Sequence, residues 1–319
     1  MFFTNVFYPI AIILTTLFSN YSDNKKPGVV TDFNKIEVRP EIITFTNEFK
    51  INNTDGHLQG IQGFENEQGN YILMTGSSDS YAYCSVVKLG DENKVVSVNE
   101  LMEIPFKHAG GFQIFQNYMA VGIEDNSAKD KSKVCIYNIS EAENPIIKPV
   151  VIIERFGEPM RSTAGCVGLT YYINKALLVV GDWDSKHLDF YSNDSEQITN
   201  SAFKKIGSID TDSISKIGWT NKDWHSYQNI NLINIDEKLY LIGLGQTMNA
   251  ENIADLFEVT EESTGNFVLK KVASKTFNCT NGCNFKAGAG VEYADGKFKI
   301  FACGYNISST SYLNIFQSK

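Results

Sequence analysis

A motif recurs five times along this chain, and the recurrence limits the folds open to it. The copies open on His57-Leu-Gln-Gly60, His108-Ala-Gly-Gly111, Thr163-Ala-Gly165, His225-Ser-Tyr227 and Lys286-Ala-Gly288. Each runs on into an apolar stretch that closes in glycine, at Gly76, Gly122, Gly181, Gly243 and Gly304. Successive openings lie 51, 55, 62 and 61 residues apart. A period of that length holds four short strands with their turns, and self-similarity at such a period marks a repeat architecture.

Within each copy the apolar and alternating runs, punctuated by turn residues, place the strands. Second strands are expected over 71–75, 118–121, 177–180, 239–242 and 298–303. Third strands follow over 83–89, 134–139, 188–191, 256–259 and 313–316. Fourth strands are expected over 96–106, 147–156, 203–209 and 267–277, and the fifth copy has none. One unmatched strand, 36–45, stands before the first copy. Pairing it onto the last copy would close a ring and cover an edge that would otherwise recruit other chains. Pro40 is tolerable there, because the fourth strand is an outer edge.

With that order of elements, residues 35–319 resemble the β-propeller superfamily. His-Ala-Gly-Gly-Phe-Gln at 108–113, followed by Ala-Val-Gly-Ile-Glu-Asp at 120–125, looks like the first two strands of one blade. The expected fold is therefore all-β: a five-bladed β-propeller of four-stranded blades, its ring closed by an N-terminal strand. Five-bladed propellers include arabinanase-like glycosidases, calcium-dependent nucleotidases and sugar-binding lectins, so the resemblance implies a shape and not a reaction.

Composition narrows the partners. Acidic residues outnumber basic ones, 37 to 28, for a formal charge of −9. Such a surface repels phosphate backbones, which argues against nucleic acid, and no basic run suits an anionic membrane. Residues 1–20 form an apolar run broken by Pro9, which suits a signal peptide, with an uncleaved anchor as the alternative. The expectation is a secreted monomer with a polar linker over 21–34. Cys84, Cys135, Cys166 and Cys303 fall in apolar strand patterns and read as buried thiols. Cys279 and Cys283 lie in a turn-rich loop, where a small disulfide and two unlinked thiols are both open. Sequons at Asn52, Asn138, Asn193, Asn278 and Asn306 matter only in a eukaryotic secretory host.

In propellers generally, the innermost strands line a central channel. Their entry loops share one face with the loops after the second strands. His57, His108 and His225 all stand at inner-strand openings, so the three are expected to meet in one funnel. Arg161 and Asp182 fall on the same face, as do Glu124, Trp183, Asp184 and Trp224. His57, His108, His225, Arg161 and Asp182 are the candidate catalytic groups. Trp183 and Trp224 are candidate platforms for a sugar ring, with Glu124 and Asp184 as polar contacts. Three readings compete. Histidines with carboxylates can bind a divalent metal, for which His57, His108 and His225 are the candidate ligands. A histidine can serve as acid or base beside Arg161, which would neutralise a substrate anion in a hydrolase or lyase. The histidines can also hydrogen-bond across the channel mouth and serve structure only.

A glycosidase needs two opposed carboxylates, for which Asp55, Glu124, Asp125, Asp182 and Asp184 are available. The arabinanase-like family has a catalytic carboxylate near its first inner strand. His57 holds that register here, with Asp55 two residues earlier. Gly110-Gly111 and Gly288-Ala-Gly290 suit close strand packing better than a phosphate cradle, because no helix is expected after them. The leading reading is a secreted enzyme acting on a carbohydrate or similar polar substrate. A non-catalytic glycan- or ligand-binding propeller and a surface interaction scaffold are the alternatives.

Overall fold

A computed structural model describes residues 28–51, 54–144, 148–195 and 197–318. The expected signal peptide over 1–20 lies outside the described residues. Twenty strands fall into five antiparallel groups. In the first blade they are β2 (Leu58–Asn66), β3 (Gly69–Ser77), β4 (Tyr81–Leu89) and β5 (Lys94–Glu103). The second has β6 (His108–Phe115), β7 (Tyr118–Glu124), β8 (Lys131–Asn138) and β9 (Val151–Phe156). In the third are β10 (Cys166–Tyr172), β11 (Lys175–Gly181), β12 (His187–Ser192) and β13 (Lys204–Asp210). The fourth is β14 (Asn229–Ile235), β15 (Lys238–Gln246), β16 (Asn252–Ser263) and β17 (Asn266–Phe277). The fifth holds β18 (Gly288–Ala294), β19 (Lys297–Cys303) and β20 (Thr310–Gln317).

Its missing fourth strand comes from the other end of the chain. β1 (Glu41–Thr46) pairs antiparallel with β20, from Glu41 opposite Ile315 to Thr46 opposite Thr310. The fold is thus a five-bladed β-propeller of four-stranded blades, as expected. The inner strands β2, β6, β10, β14 and β18 neighbour one another in chain order, and β18 returns to lie beside β2.

A blade is covered on both faces by its neighbours, so its middle strands are apolar at nearly every position rather than at alternate ones. In β3 all seven residues from Tyr71 to Ser77 are buried. The described core divides into five clusters, one between each adjacent pair of blades. The cluster joining the fifth blade to the first contains Phe45 of β1, Leu58, Ile72, Phe301 and Leu313. At the axis the backbones approach closely. A Cβ added at Gly290 would lie 1.8 Å from the Ile61 carbonyl oxygen, and one at Gly111 would lie 2.3 Å from that of Gln228. The paired glycines therefore serve strand packing, as expected.

The linker expected over 21–34 is structured in its described part. Val29–Asn34 forms a short helix, α1, and Phe33 on it is fully buried against Phe298, with ring centroids 5.7 Å apart. Two valines and a phenylalanine on one turn and a half give the segment an apolar face that the polar residues before it hid. Burying a side chain like Phe33 is worth about 1.5–3 kcal/mol. Cys279 and Cys283 are joined as a disulfide, and Cys84, Cys135, Cys166 and Cys303 are buried free thiols. Among the sequons, Asn193 is buried and holds the Ala176 amide and the Gln197 and Ile198 carbonyls, so it is closed to modification in the folded chain.

Candidate functional site

The inner strands carry carboxamides that close the axis. Gln62 donates to the Val291 carbonyl (2.8 Å) and accepts from the Ile114 amide (2.5 Å). Gln113 donates to Leu232 O (2.8 Å) and accepts from the Leu169 and Leu232 amides, both at 2.8 Å. Asn229 donates to Gln59 O (2.9 Å) and Asn231 to Phe112 O (3.3 Å). Each amide presents donors and an acceptor, so it can bridge strands from different blades and satisfy backbone groups that the tight axis leaves unpaired. None of these residues stood out in the sequence, where a polar residue on a strand reads as ordinary alternation.

Above this plug lies a pocket of about 330 Å³, lined by His57, Gln59, His108, Glu124, Gly165, Trp183, Asp184, Ser226, Tyr227, Gln228, Lys286 and Tyr305. Its floor is built around Gln59. The Gln59 amide nitrogen lies 2.9 Å from His108 Nε2 and 3.2 Å from His57 Nε2, and its oxygen accepts from Gln228 Nε2 (2.5 Å). With the amide as donor, both imidazoles carry their hydrogen on Nδ1. His57 Nδ1 then donates to Leu58 O (2.7 Å). Burial holds His57 below the usual histidine range and outweighs the Leu58 bond that raises it, while His108 adds to the lowering. At neutral pH His57 is uncharged.

His108 Nδ1 lies 3.2 Å from Glu124 Oε1. Both side chains are buried, and neither of these two atoms has a hydrogen-bond partner among the described residues. The second oxygen, Glu124 Oε2, accepts from the Ala164 amide (2.8 Å). This pair is the polar arrangement in the pocket that the fold alone does not require. Trp183 stands beside it, its ring centroid 5.4 Å from that of His108 and the planes 30° apart. The loop carrying it is pinned by the bond from the Trp183 amide to Thr163 Oγ1 (2.7 Å).

The structure brings His57, His108, Glu124, Trp183 and Asp184 together and places the other candidates elsewhere. His225 is not part of the pocket lining. Its blade opens four residues later than the repeat suggested, so His225 sits in the 211–228 connection and not at the start of β14. There its Nε2 lies 3.8 Å from Asp255 Oδ2. The three histidines therefore do not converge. Among the described residues, no group of three or more His, Cys, Asp or Glu side chains is placed to hold a metal ion.

Trp224 packs against Trp219, Tyr227 and Phe257 in the fourth blade and offers no platform to the pocket. Behind it, buried Lys271 donates to Asp255 Oδ2 (2.8 Å), Asn221 Oδ1 (2.8 Å) and Asp223 O (2.5 Å), which ties the 211–228 connection to β16 and β17. Arg161 is likewise spent. Both of its terminal nitrogens donate to Asp189, which also receives Arg155 (2.7 Å), Lys205 (2.8 Å) and Ser208 (2.7 Å). Asp182 accepts from the backbone amide of His187 (3.2 Å), and its other oxygen lies 2.6 Å from His187 Nδ1. It shapes the turn that carries Trp183. His187 is the first residue of β12.

No protein-family model matches the sequence, and no curated protein matches it either. Several solved structures share its outline. One is an exo-β-1,3-galactanase from Phanerochaete chrysosporium, at 9% identity and a TM-score of 0.48, covering 86% of this chain and 64% of that one. Another, from Clostridium thermocellum, has 13% identity and a TM-score of 0.47, covering 84% and 61%. A thermostable family-43 glycoside hydrolase has 10% identity and a TM-score of 0.46, covering 85% and 91%. The chain spans less than two thirds of the length of either galactanase.

Proposed function

We propose that the protein is an enzyme acting on a carbohydrate or similarly polar substrate in the axial pocket, with His108 as acid–base group and Glu124 as its partner. The buried His108–Glu124 pair, 3.2 Å apart, carries this reading. The Glu124 carboxylate faces Nδ1 and is kept in place by the Ala164 amide, which leaves Nε2 as the ring nitrogen open to exchange a proton with a substrate. Two opposed carboxylates of the glycosidase kind are not what the pocket offers. Glu124 lines the pocket but is fully buried, with His108 Nδ1 3.2 Å from one of its oxygens and the Ala164 amide on the other. The proton chemistry therefore runs through histidine, and a substrate or water must draw Gln59 off His108 Nε2. Export by the apolar run over 1–20 belongs to the same proposal.

One observation favours a second reading, a pocket that binds a glycan without cleaving it: both Nε2 atoms are already engaged by Gln59. A single experiment separates the two. Purified protein is incubated with a panel of neutral and acidic oligosaccharides and the products are weighed by mass spectrometry. The enzyme reading expects cleavage in the wild type and about a hundredfold or greater loss in His108→Ala, the usual scale for a general acid–base group. It expects a smaller loss in Glu124→Gln. Binding without any cleavage, or cleavage that survives His108→Ala, overturns it.

A further inference from the structure

On the reading that His108 carries the proton chemistry, we infer that His57 is a positioning residue, which acts through Gln59 to keep His108 Nε2 bare and ready to accept a proton. All three side chains line the axial pocket. The first blade's histidine thereby sets the tautomer of the second blade's.

The order starts at a carbonyl. A carbonyl oxygen only accepts, so the 2.7 Å contact between His57 Nδ1 and Leu58 O puts a hydrogen on Nδ1. Burial keeps the ring neutral, and its Nε2 is therefore bare. The Gln59 side-chain nitrogen lies 3.2 Å from His57 Nε2 and 3.3 Å from Nδ1. Nδ1 has given its hydrogen to Leu58, which leaves Nε2 as the acceptor, and only the nitrogen end of the amide can donate to it. The oxygen end faces Gln228 Nε2, which donates to it (2.5 Å). Turned over, the amide would set its oxygen against a bare nitrogen and its NH2 against that of Gln228. An amide nitrogen carries two hydrogens, and the second reaches His108 Nε2 at 2.9 Å. That atom is then bare too, and neutral His108 holds its hydrogen on Nδ1, on the Glu124 side.

The bond from Gln59 is the one hydrogen bond that the His108 ring makes among the described residues, since Nδ1 has no partner. Gln59 is 1% exposed, and Asn229 holds its backbone carbonyl (2.9 Å), so the amide is confined. His57 is fixed in turn by an edge contact with Tyr305, ring centroids 5.3 Å apart. A substrate hydroxyl or water that replaces the Gln59 hydrogen meets a lone pair at once, with no tautomer exchange needed first.

The test uses full-length protein with nitrogen-15 in its four histidines, because a bare ring nitrogen and a protonated one give well-separated signals. Spectra are taken at about pH 8, above the ordinary histidine pKa of about 6.5. The wild type should show Nε2 bare in both His57 and His108. His57→Phe keeps a ring against Tyr305 but frees the Gln59 amide to turn, so His108 should become a mixture of tautomers. In Gln59→Glu the carboxylate only accepts, so the His108 hydrogen should move to Nε2. His187 and His225, outside the relay, should keep their signals in both variants. On an oligosaccharide that the wild type cleaves, Gln59→Glu should lose about a hundredfold in rate and His57→Phe less. A hydrogen on His108 Nε2 in the wild type, or a His108 tautomer that both variants leave unchanged, overturns the inference. The spectra need no substrate, so that failure is distinct from failure of the acid–base reading, which shows as cleavage surviving His108→Ala.

Discussion

Replacing Asp189 by asparagine removes one negative charge from the ion cluster between the second and third blades. Asp189 is 3% exposed and Arg155, 2.7 Å away, is 6% exposed, so neither charge has water to fall back on. Breaking a buried pair by neutralising one partner costs about 3–5 kcal/mol, chiefly from the charge left behind. The two other cations are a quarter and nearly half exposed and add less than about 1 kcal/mol each. Asparagine keeps one acceptor oxygen, which puts the expected loss near the lower end, at about 3 kcal/mol. For a domain of this size that lowers Tm by roughly 6 °C. Guanidinium unfolding followed by tryptophan fluorescence measures the cost. Adding Arg155→Met should recover much of the loss, because the stranded cation is then gone. The pH dependence gives an independent check. Burial alone would raise the Asp189 carboxyl, but hydrogen bonds from Arg161 and Lys205 and the charge of Arg155 outweigh it and hold it well below the usual carboxylate range. A depressed folded value means stability that is present above the ordinary carboxylate pKa, about 4, and lost as pH falls through the folded value. The Asp189→Asn substitution should flatten that part of the acid limb. A loss under about 1 kcal/mol, or an unchanged acid limb, refutes the assignment of this cluster to stability.

Two further predictions concern the axis and the histidines. Gly290→Ala should destabilise by about 3 kcal/mol or more, since its Cβ would meet the Ile61 carbonyl oxygen at 1.8 Å and a backbone cannot swing aside as a side chain can; a Tm within about 2 °C of wild type counts against the close packing of β18 on β2. Burial lowers both His57 and His225, the latter against Asp255 and with Lys271, so the native state binds fewer protons than the unfolded one below about pH 6.5. Stability should therefore fall as pH drops from about 6.5 towards the folded values, and a double variant, His57→Gln with His225→Gln, should lose much of that slope in urea titrations between about pH 7 and 5.

The parts of this molecule that sequence could show are those that each repeat must satisfy alone. Every blade needs a two-sided apolar second strand and a glycine where backbones crowd, and both leave a local signature at a fixed period. The spare strand was legible for the same reason, because β20 lacks a partner that only β1 can supply. What a side chain does in a loop depends on neighbours far along the chain. Arg161 lies 28 residues from Asp189, and nothing near either announces the pair. His225 shares a motif with His57 and His108, yet a few extra residues before β14 turn it toward Asp255 instead of the axis. His108 stands where the repeat placed it, since it begins a strand and has no loop to carry it elsewhere. Its partner Glu124, opposite it at the end of β7, is fixed by the same ladder. Strand positions thus transmit function reliably from the pattern, whereas entry-loop positions do so only when the loop length is common to all blades. Trp183 stands in a loop, and its place in the pocket rests on the hydrogen bond from its amide to the Thr163 hydroxyl rather than on the repeat. Thr163→Val, which keeps the volume and removes the hydroxyl, should therefore weaken ligand binding through Trp183 while leaving His108 and Glu124 where β6 and β7 put them.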